Sequence, residues 1–124
     1  MLCFIFESYP MNKISDLVNC CDISLCCFAD IPILYTNSPN KFFDSLSAGK
    51  PIIINSNGWT RKLIEKYKCG FYYNPKDINS FNQMIFSINK IELKLMGENS
   101  RKLALSKFDK DKLTNKIVTL VNNL

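Results

Sequence analysis

With 124 residues, 47% of them hydrophobic and 22% charged, the chain has the length and composition of one ordinary globular domain. No apolar run approaches the roughly 20 residues of a membrane-spanning helix, and the first residues lack the basic start of a signal peptide. The net charge of +5 is uneven, since residues 1–60 carry three Lys or Arg against five acids, whereas residues 61–124 carry thirteen against six.

Apolar patterning predicts strands and helices that alternate along the chain. Short apolar runs predict four strands, at Leu2–Phe6, Asp22–Phe28, Pro51–Ile54 and Cys69–Tyr73. The second run is apolar on both faces, as in a central parallel strand. Apolar residues at helical spacing predict helices at 12–19, 38–49 and 59–67. Two or three more helices follow, the first capped by Asp77 and the last by Asp109.

This order of elements predicts an α/β fold, namely a Rossmann-like parallel sheet of about four strands with further helices at the C-terminus. Helices are expected on both faces of the sheet, and residues 1–124 are expected to form a single domain. Ligands of such sheets bind beyond the carboxyl ends of the strands. Three loops should therefore converge at that edge: Glu7–Pro10, Ala29–Asn40 and Asn55–Trp59.

The segment from Ser38 to Ile54 carries the clearest local signals. Ser38 is expected to cap a helix that has Pro39 at its first position, and Gly49 is expected to end it. A helix N-terminus beside the carboxyl edge of a sheet suits an anion, because its free amides and dipole face outward. The segment is therefore a candidate site for a phosphorylated ligand. The sequence contains no GxGxxG and no Walker loop, which disfavours dinucleotide and P-loop enzymes.

The chain has six cysteines and no histidine. No CxxC pair occurs, and the spacing of the cysteines favours neither a disulfide framework nor a zinc site. Buried or half-buried thiols in a reducing cytoplasm are expected instead. Without histidine, the usual base of a Ser or Cys triad is missing. Chemistry would then depend on carboxylates, lysines, backbone amides or the substrate itself.

Several stretches, in order and covering nearly the whole chain, resemble a single family. They are CDISLCCF, the run from Asp44 through Gly49-Lys50-Pro51 to Ile54, LIEKYKCGFYYNPKDINSF and MGENSRKLALSKFDKDKL. Together they resemble the C-terminal, nucleotide-sugar-binding domain of retaining GT-B glycosyltransferases of family four, which is one half of the GT-B fold. Pro39-Asn40-Lys41 is similar to a subgroup that acts in bacterial surface-polysaccharide synthesis.

The resemblance implies a role for each matching residue. The start of the helix would hold the donor diphosphate through Ser38, Asn40 and Lys41, and the Asp44 carboxylate would accept hydrogen bonds from the ribose hydroxyls. Asp44 is one methylene shorter than the Glu usual in the family. Thr36 occupies the position of a second Glu that many members place near the sugar. Possible donor-sugar or base contacts are Thr36, Glu7, Ser8 and Tyr9. No metal or other cofactor is implied.

The function that the resemblance implies is transfer of a sugar from a nucleotide-diphosphate donor to a glycan or lipid-linked acceptor, with retention at the anomeric carbon. The acceptor-binding domain of the family has no counterpart in these 124 residues, so a separate acceptor-binding domain or chain is an expected partner. Two alternatives stay open. One is a non-catalytic nucleotide-binding or interaction subunit of a split glycosyltransferase, and the other is a truncated remnant.

The basic C-terminal half bears on partners and location. Solvated helical faces explain most of its excess of lysine and arginine. Attraction to an anionic membrane surface or to a polyphosphate is the alternative. No basic motif interleaved with aromatic residues indicates a nucleic-acid partner. The expected location is the cytoplasm, with peripheral contact at the inner face of the membrane as a further possibility.

Overall fold

The fold is α/β, as a computed structural model that describes residue 5 and residues 7–124 shows. Its parallel sheet contains β1 (Ser24–Cys26), β2 (Ile52–Ile54) and β3 (Gly70–Tyr72), in the order β1-β2-β3. Ser24, Ile52 and Gly70 lie side by side across the sheet. The sheet of the described residues thus has three strands. The further strand expected at Leu2–Phe6 falls, except for Ile5, outside the described residues.

Helices precede, connect and follow the strands of this sheet. They are α1 (Met11–Cys20), α2 (Asn40–Ser47), α3 (Trp59–Tyr67), α4 (Ile78–Ser87), α5 (Lys90–Lys107) and α6 (Lys110–Asn122), with a short 3-10 helix at Pro32–Thr36. The predicted caps are confirmed, because Asp77 accepts from the amide of Ser80 and Asp109 from that of Lys112. None of these helices is long and apolar enough to cross a membrane.

One face of the sheet carries the hydrophobic core. Ile52 and Ile54, two residues apart on β2, point to the same face, and both are fully buried there. Side chains of α2, α3 and α5 cover them: Phe42, Leu46, Ile64, Leu103 and Ala104. The connecting helices α2 and α3, together with the long α5, therefore hold β2 at the centre of the sheet. This packing fixes the carboxyl ends of the strands.

The opposite face is less completely covered. Ile53 is fully buried, but its neighbour Leu25 on β1 is 55% exposed. The expectation that Asp22–Phe28 is buried on both faces is therefore wrong at Leu25. In the part of the chain that the structure describes, β1 pairs only with β2 and forms an edge of the sheet, so its outward side chain lacks the cover that a central strand receives.

The start of α2 differs from the prediction by one residue or two. Pro39 stands at the N-cap with φ −77° and ψ 133°, and no side chain caps the helix. Ser38 is therefore not the cap, and Pro39 is not the first helical residue. Extended geometry at Pro39 lets its carbonyl accept from the amide of Phe42 at 3.0 Å. Position within the fold, and not a local serine cap, sets where this helix begins.

The end of α2 is as predicted. Gly49 has φ +66°, a left-handed conformation that glycine adopts without penalty. The Gly49 amide donates to Leu46 O and the Lys50 amide to Ser45 O, both at 3.0 Å, which is the Schellman pattern. The Arg101 guanidinium also donates to Ser47 O at 2.6 Å. The chain is thereby turned directly into β2.

Candidate functional site

The loops that follow β1 and β2 are joined at the carboxyl edge of the sheet. Asn55, the residue after β2, is buried. Its side chain accepts from Phe28 N at 2.9 Å and donates to Phe28 O at 2.7 Å. Because one amide satisfies both the donor and the acceptor of the same residue, it fixes the backbone of the first loop relative to the second strand.

Trp59 fixes the approach to α2. Its ring lies 5.7 Å from that of Phe42 and 6.1 Å from that of Phe43, and its indole N–H donates to Asn37 O at 3.0 Å. Trp59 is therefore packed against the aromatic residues of α2. The loops Ala29–Asn40 and Asn55–Trp59 therefore meet as predicted.

The expected diphosphate-binding residues lie together at the start of α2. Ser38, Asn40 and Lys41 are all exposed. The amides of Asn40 and Lys41 belong to the first turn, where no helical acceptor exists, and no hydrogen bond to them occurs among the described residues. The Lys41 ammonium lies 5.4 Å from the centre of the Phe28 ring. Two amides and one cation thus face solvent at this edge.

Asp44 lies one turn further along the same helix. Asn40 and Asp44 are four residues apart and so share a face of α2, and the carboxylate of Asp44 is exposed. It lines a groove of about 540 Å³ between α1 and the second half of α2, which Ile14, Val18 and Arg101 also border. The helix therefore presents hydrogen-bond donors that suit an anion at its start, and a hydrogen-bond acceptor one turn later.

The other predicted contacts are Thr36 and the residues before α1. Thr36 ends the 3-10 helix, and its hydroxyl donates to Ile33 O at 3.0 Å within the same turn. Glu7, Ser8 and Tyr9 are exposed in the segment before α1. Their roles as sugar or base contacts, and the convergence of Glu7–Pro10 with the other loops, stay predictions.

Two features of this edge were missed by sequence reasoning. One is Asn55, whose only signal was its place directly after a buried strand. The other is a cluster in which the Tyr35 hydroxyl donates to Asp30 at 2.7 Å and the Lys76 ammonium lies 3.4 Å from the same carboxylate. This cluster joins the loop after β1 to the loop after β3. The hydroxyl of Tyr35, and to a smaller extent Lys76, hold the pKa of Asp30 below its ordinary value.

We expect Tyr35→Phe to raise the pKa of Asp30 towards the ordinary value, because the largest cause of its lowering is removed. A carboxyl with a lowered folded pKa stabilises the fold at neutral pH, and that contribution is lost as the pH falls through the folded pKa. Titration of the carboxyl carbon by NMR measures the change. Lys76→Gln should raise the pKa of Asp30 by less than Tyr35→Phe does. If Lys76→Gln raised it by more, Tyr35 would not be the main cause of the lowered pKa.

The cysteines and the acidic side chains are the remaining candidates for chemistry. The described cysteines are free: Cys26 and Cys69 are buried, Cys27 is half-buried, and Cys20 and Cys21 are exposed. Burial raises the pKa of Cys26 to about 11, so this thiol is protonated at neutral pH and a poor nucleophile. Among residue 5 and residues 7–124, no group of three or more Cys, Asp or Glu side chains is arranged to hold a metal ion.

The described site can therefore bind an anion and a hydroxyl-bearing group along one helix. The amides of Asn40 and Lys41 with the Lys41 ammonium supply donors, and Asp44 supplies an exposed acceptor. Comparisons of this chain with protein-family models, with curated proteins and with solved structures find no match.

Proposed function

We propose that this chain is the donor-binding domain of a retaining GT-B glycosyltransferase and binds a nucleotide-diphosphate sugar across α2. One observation carries the proposal: a single helix exposes both hydrogen-bond donors for an anion, at Asn40 and Lys41, and a carboxylate, at Asp44. A nucleoside diphosphate presents the complementary groups, because an anionic diphosphate is joined to a ribose with two hydroxyl donors.

Spacing along the helix supports this pairing. The backbone rises 1.5 Å per residue, so Asn40 and Asp44 are separated by about 6 Å along the axis of α2. That distance is comparable with the length of the ribose-phosphate unit of a nucleotide. A ligand lying along α2 can therefore place its phosphates at the first turn and its ribose beside Asp44, in the groove that α1 borders.

The same donors suit the chemistry of the transfer. When the bond between the anomeric carbon and the diphosphate oxygen breaks, its electron pair stays on the departing nucleoside diphosphate. The amides at the start of α2, the helix dipole and the Lys41 ammonium would offset that developing negative charge. The acceptor would be held by a separate domain or chain, and the reaction would take place where nucleotide sugars are available, in the cytoplasm or at the inner face of the membrane.

Isothermal titration of the chain with UDP, GDP and their sugars tests the proposal. One nucleotide series, that of UDP or that of GDP, should bind. Asp44→Ala should weaken the binding of the nucleoside and of the nucleoside diphosphate alike by about tenfold or more, because hydrogen bonds from the ribose to a charged acceptor are lost. Lys41→Gln should weaken the diphosphate but leave the nucleoside unchanged, because its ammonium contacts only the phosphates.

Asp111→Ala is the matched control, since Asp111 is an exposed carboxylate on α6. Circular dichroism checks that each variant keeps its fold. The proposal fails if no nucleotide binds at millimolar concentration, or if Asp111→Ala weakens binding as much as Asp44→Ala does.

The second candidate function is a non-catalytic nucleotide-binding subunit that pairs with a separate acceptor-binding chain. The apolar side of α6 favours association with a partner, since Ile117, Leu120 and Val121 are 62%, 68% and 61% exposed. Both candidates predict nucleotide binding. They differ in that only the second requires a stable complex with a separate chain, which co-purification with a tagged chain measures.

A further inference from the structure

A second groove lies at the opposite, amino edge of the sheet. Asp22 precedes β1, Lys50 and Pro51 precede β2, and these residues face the first half of α5 across a groove of about 500 Å³. The loops Ala29–Asn40 and Asn55–Trp59 lie at the carboxyl edge, so this groove is separate from the start of α2. Only its rim, at Gly49 and Arg101, is shared with the groove beside Asp44.

Four cationic side chains from two distant parts of the chain line this groove: Lys50, Lys90, Lys94 and Arg101. Lys90 and Lys94 are four residues apart on α5 and therefore project from the same face. Neither ammonium group has a hydrogen bond or an ion pair within the described residues. Two ammonium groups are thus free to receive a ligand from one wall.

The other two cations are held in place. The Lys50 ammonium donates to Asn19 O at 2.9 Å, and the Arg101 guanidinium to Ser47 O at 2.6 Å. Each keeps further N–H donors, because an ammonium carries three and a guanidinium five. Neutral carbonyls position these groups without cancelling their charge, so less conformational entropy would be lost when an anion binds.

The two carboxylates that line the groove leave it with a net positive charge. Asp22 and Glu98 also line the groove, but within the described residues neither forms an ion pair with any of its cations. Four positive charges therefore stand against two negative ones. The local excess agrees with the basic character of residues 61–124, which carry thirteen Lys or Arg against six acids.

The floor of the groove is backbone. A Cβ placed on Gly97 would overlap the carbonyl oxygen of Gly49, so glycine is required where α5 crosses the end of α2. This close crossing packs the backbones of Gly49 and Gly97 against each other, and so it fixes the end of α2 relative to α5.

We propose that the amino-edge groove is a binding site for a multivalent phosphate-type anion, supplied either by a free polyphosphate or by a phospholipid headgroup. Lys90 and Lys94 bind it from α5, while Lys50 and Arg101 bind it from the fixed rim. The site does not depend on the function proposed for α2, and its ligand is not the sugar donor. Binding weakens as ionic strength rises, because the groove is open to solvent.

Titration of the labelled chain with tripolyphosphate, followed by amide NMR shifts, tests the proposal. Shifts should occur at Gly49, at Lys50 and at residues 90–101. The double substitution Lys90→Gln with Lys94→Gln should weaken this binding by about tenfold or more, since two of the four cations are lost. The matched control is Lys110→Gln with Lys116→Gln on α6, which changes the net charge equally at exposed positions and should leave the affinity within about twofold.

Vesicles distinguish the two sources of phosphate. Sedimentation with phosphatidylcholine vesicles that contain phosphatidylglycerol should be lost in the Lys90 and Lys94 double variant if the ligand is a headgroup, whereas binding of tripolyphosphate alone assigns a free polyphosphate. The proposal is overturned if neither probe depends on these lysines more than on Lys110 and Lys116, or if tripolyphosphate shifts only the amides around Lys41. In that last case donor-site binding would stand while the groove proposal fails.

Discussion

Replacing Phe42 with alanine is expected to lower the free energy of unfolding by about 3–5 kcal/mol, the cost of deleting a buried aromatic ring. Phe42 is completely buried. Its ring meets those of Phe43 at 5.6 Å and Trp59 at 5.7 Å, both edge to face. Alanine would leave a cavity between α2, α3 and the sheet, and it would remove the aromatic contacts that fix the start of α2.

Urea unfolding followed by circular dichroism measures the change. Phe86→Ala is the matched control, because Phe86 is 88% exposed on α4 and should change stability by about 0.5 kcal/mol or less. Phe42→Leu should fall between the two, since it restores part of the buried volume. Equal effects of Phe42→Ala and Phe86→Ala would show that the core is not organised around Phe42.

Local signals account for the elements that the sequence predicts well. α3 begins at Trp59 and ends at Tyr67 as predicted, because its apolar side repeats with helical spacing and the Gly58 turn precedes it. Asp77 and Asp109 cap their helices because an Asx side chain and a nearby amide suffice. Gly49 ends α2 because only a left-handed residue can turn the chain there.

Predictions that needed knowledge of neighbouring segments did less well. Ser38 was expected to cap α2, but Trp59, far along the chain, holds Asn37 and helps to set where the helix begins. Leu25 looked like a core residue because its run is apolar on both sides, yet exposure depends on which element covers that face. The role of Asn55 is likewise invisible until the loop after β1 is known to lie beside it.

The candidate sites divide in the same way. Asn40, Lys41 and Asp44 lie within five residues of one helix, so their juxtaposition follows from sequence spacing alone. The amino-edge groove joins Lys50 to Lys90 and Lys94, and nothing in the pattern of either segment indicates the other. Sequence spacing can therefore suggest a candidate site that lies on one helix, but it cannot suggest one that depends on tertiary packing.

Replacing Asn55 with leucine is expected to lower the free energy of unfolding by about 2–3 kcal/mol, although leucine has a similar volume. The amide of Asn55 is the partner of both Phe28 N and Phe28 O. Leucine leaves this donor and this acceptor without partners in a part-buried position, and that penalty exceeds the gain from burying a larger apolar group. The loop after β1 should loosen, so the nucleotide binding that we propose at α2 should weaken as well.

Asn55→Asp separates hydrogen bonding from packing. A charged carboxylate there can accept from Phe28 N but would face Phe28 O without a proton to donate, so the carboxylic acid form is favoured and its folded pKa is raised. The stability of this variant, compared with that of the unmodified chain, should therefore be highest at low pH. It should fall as the pH rises through the folded pKa of the new carboxyl. Unfolding by urea across the pH range measures this dependence.

The control for Asn55→Leu is Asn82→Leu, which adds the same hydrophobic side chain at an exposed position of α4. If Asn55→Leu is as mild as Asn82→Leu, the two hydrogen bonds to Phe28 do not hold the carboxyl edge together, and the proposed donor site lacks the rigid base from which α2 would present Lys41 and Asp44.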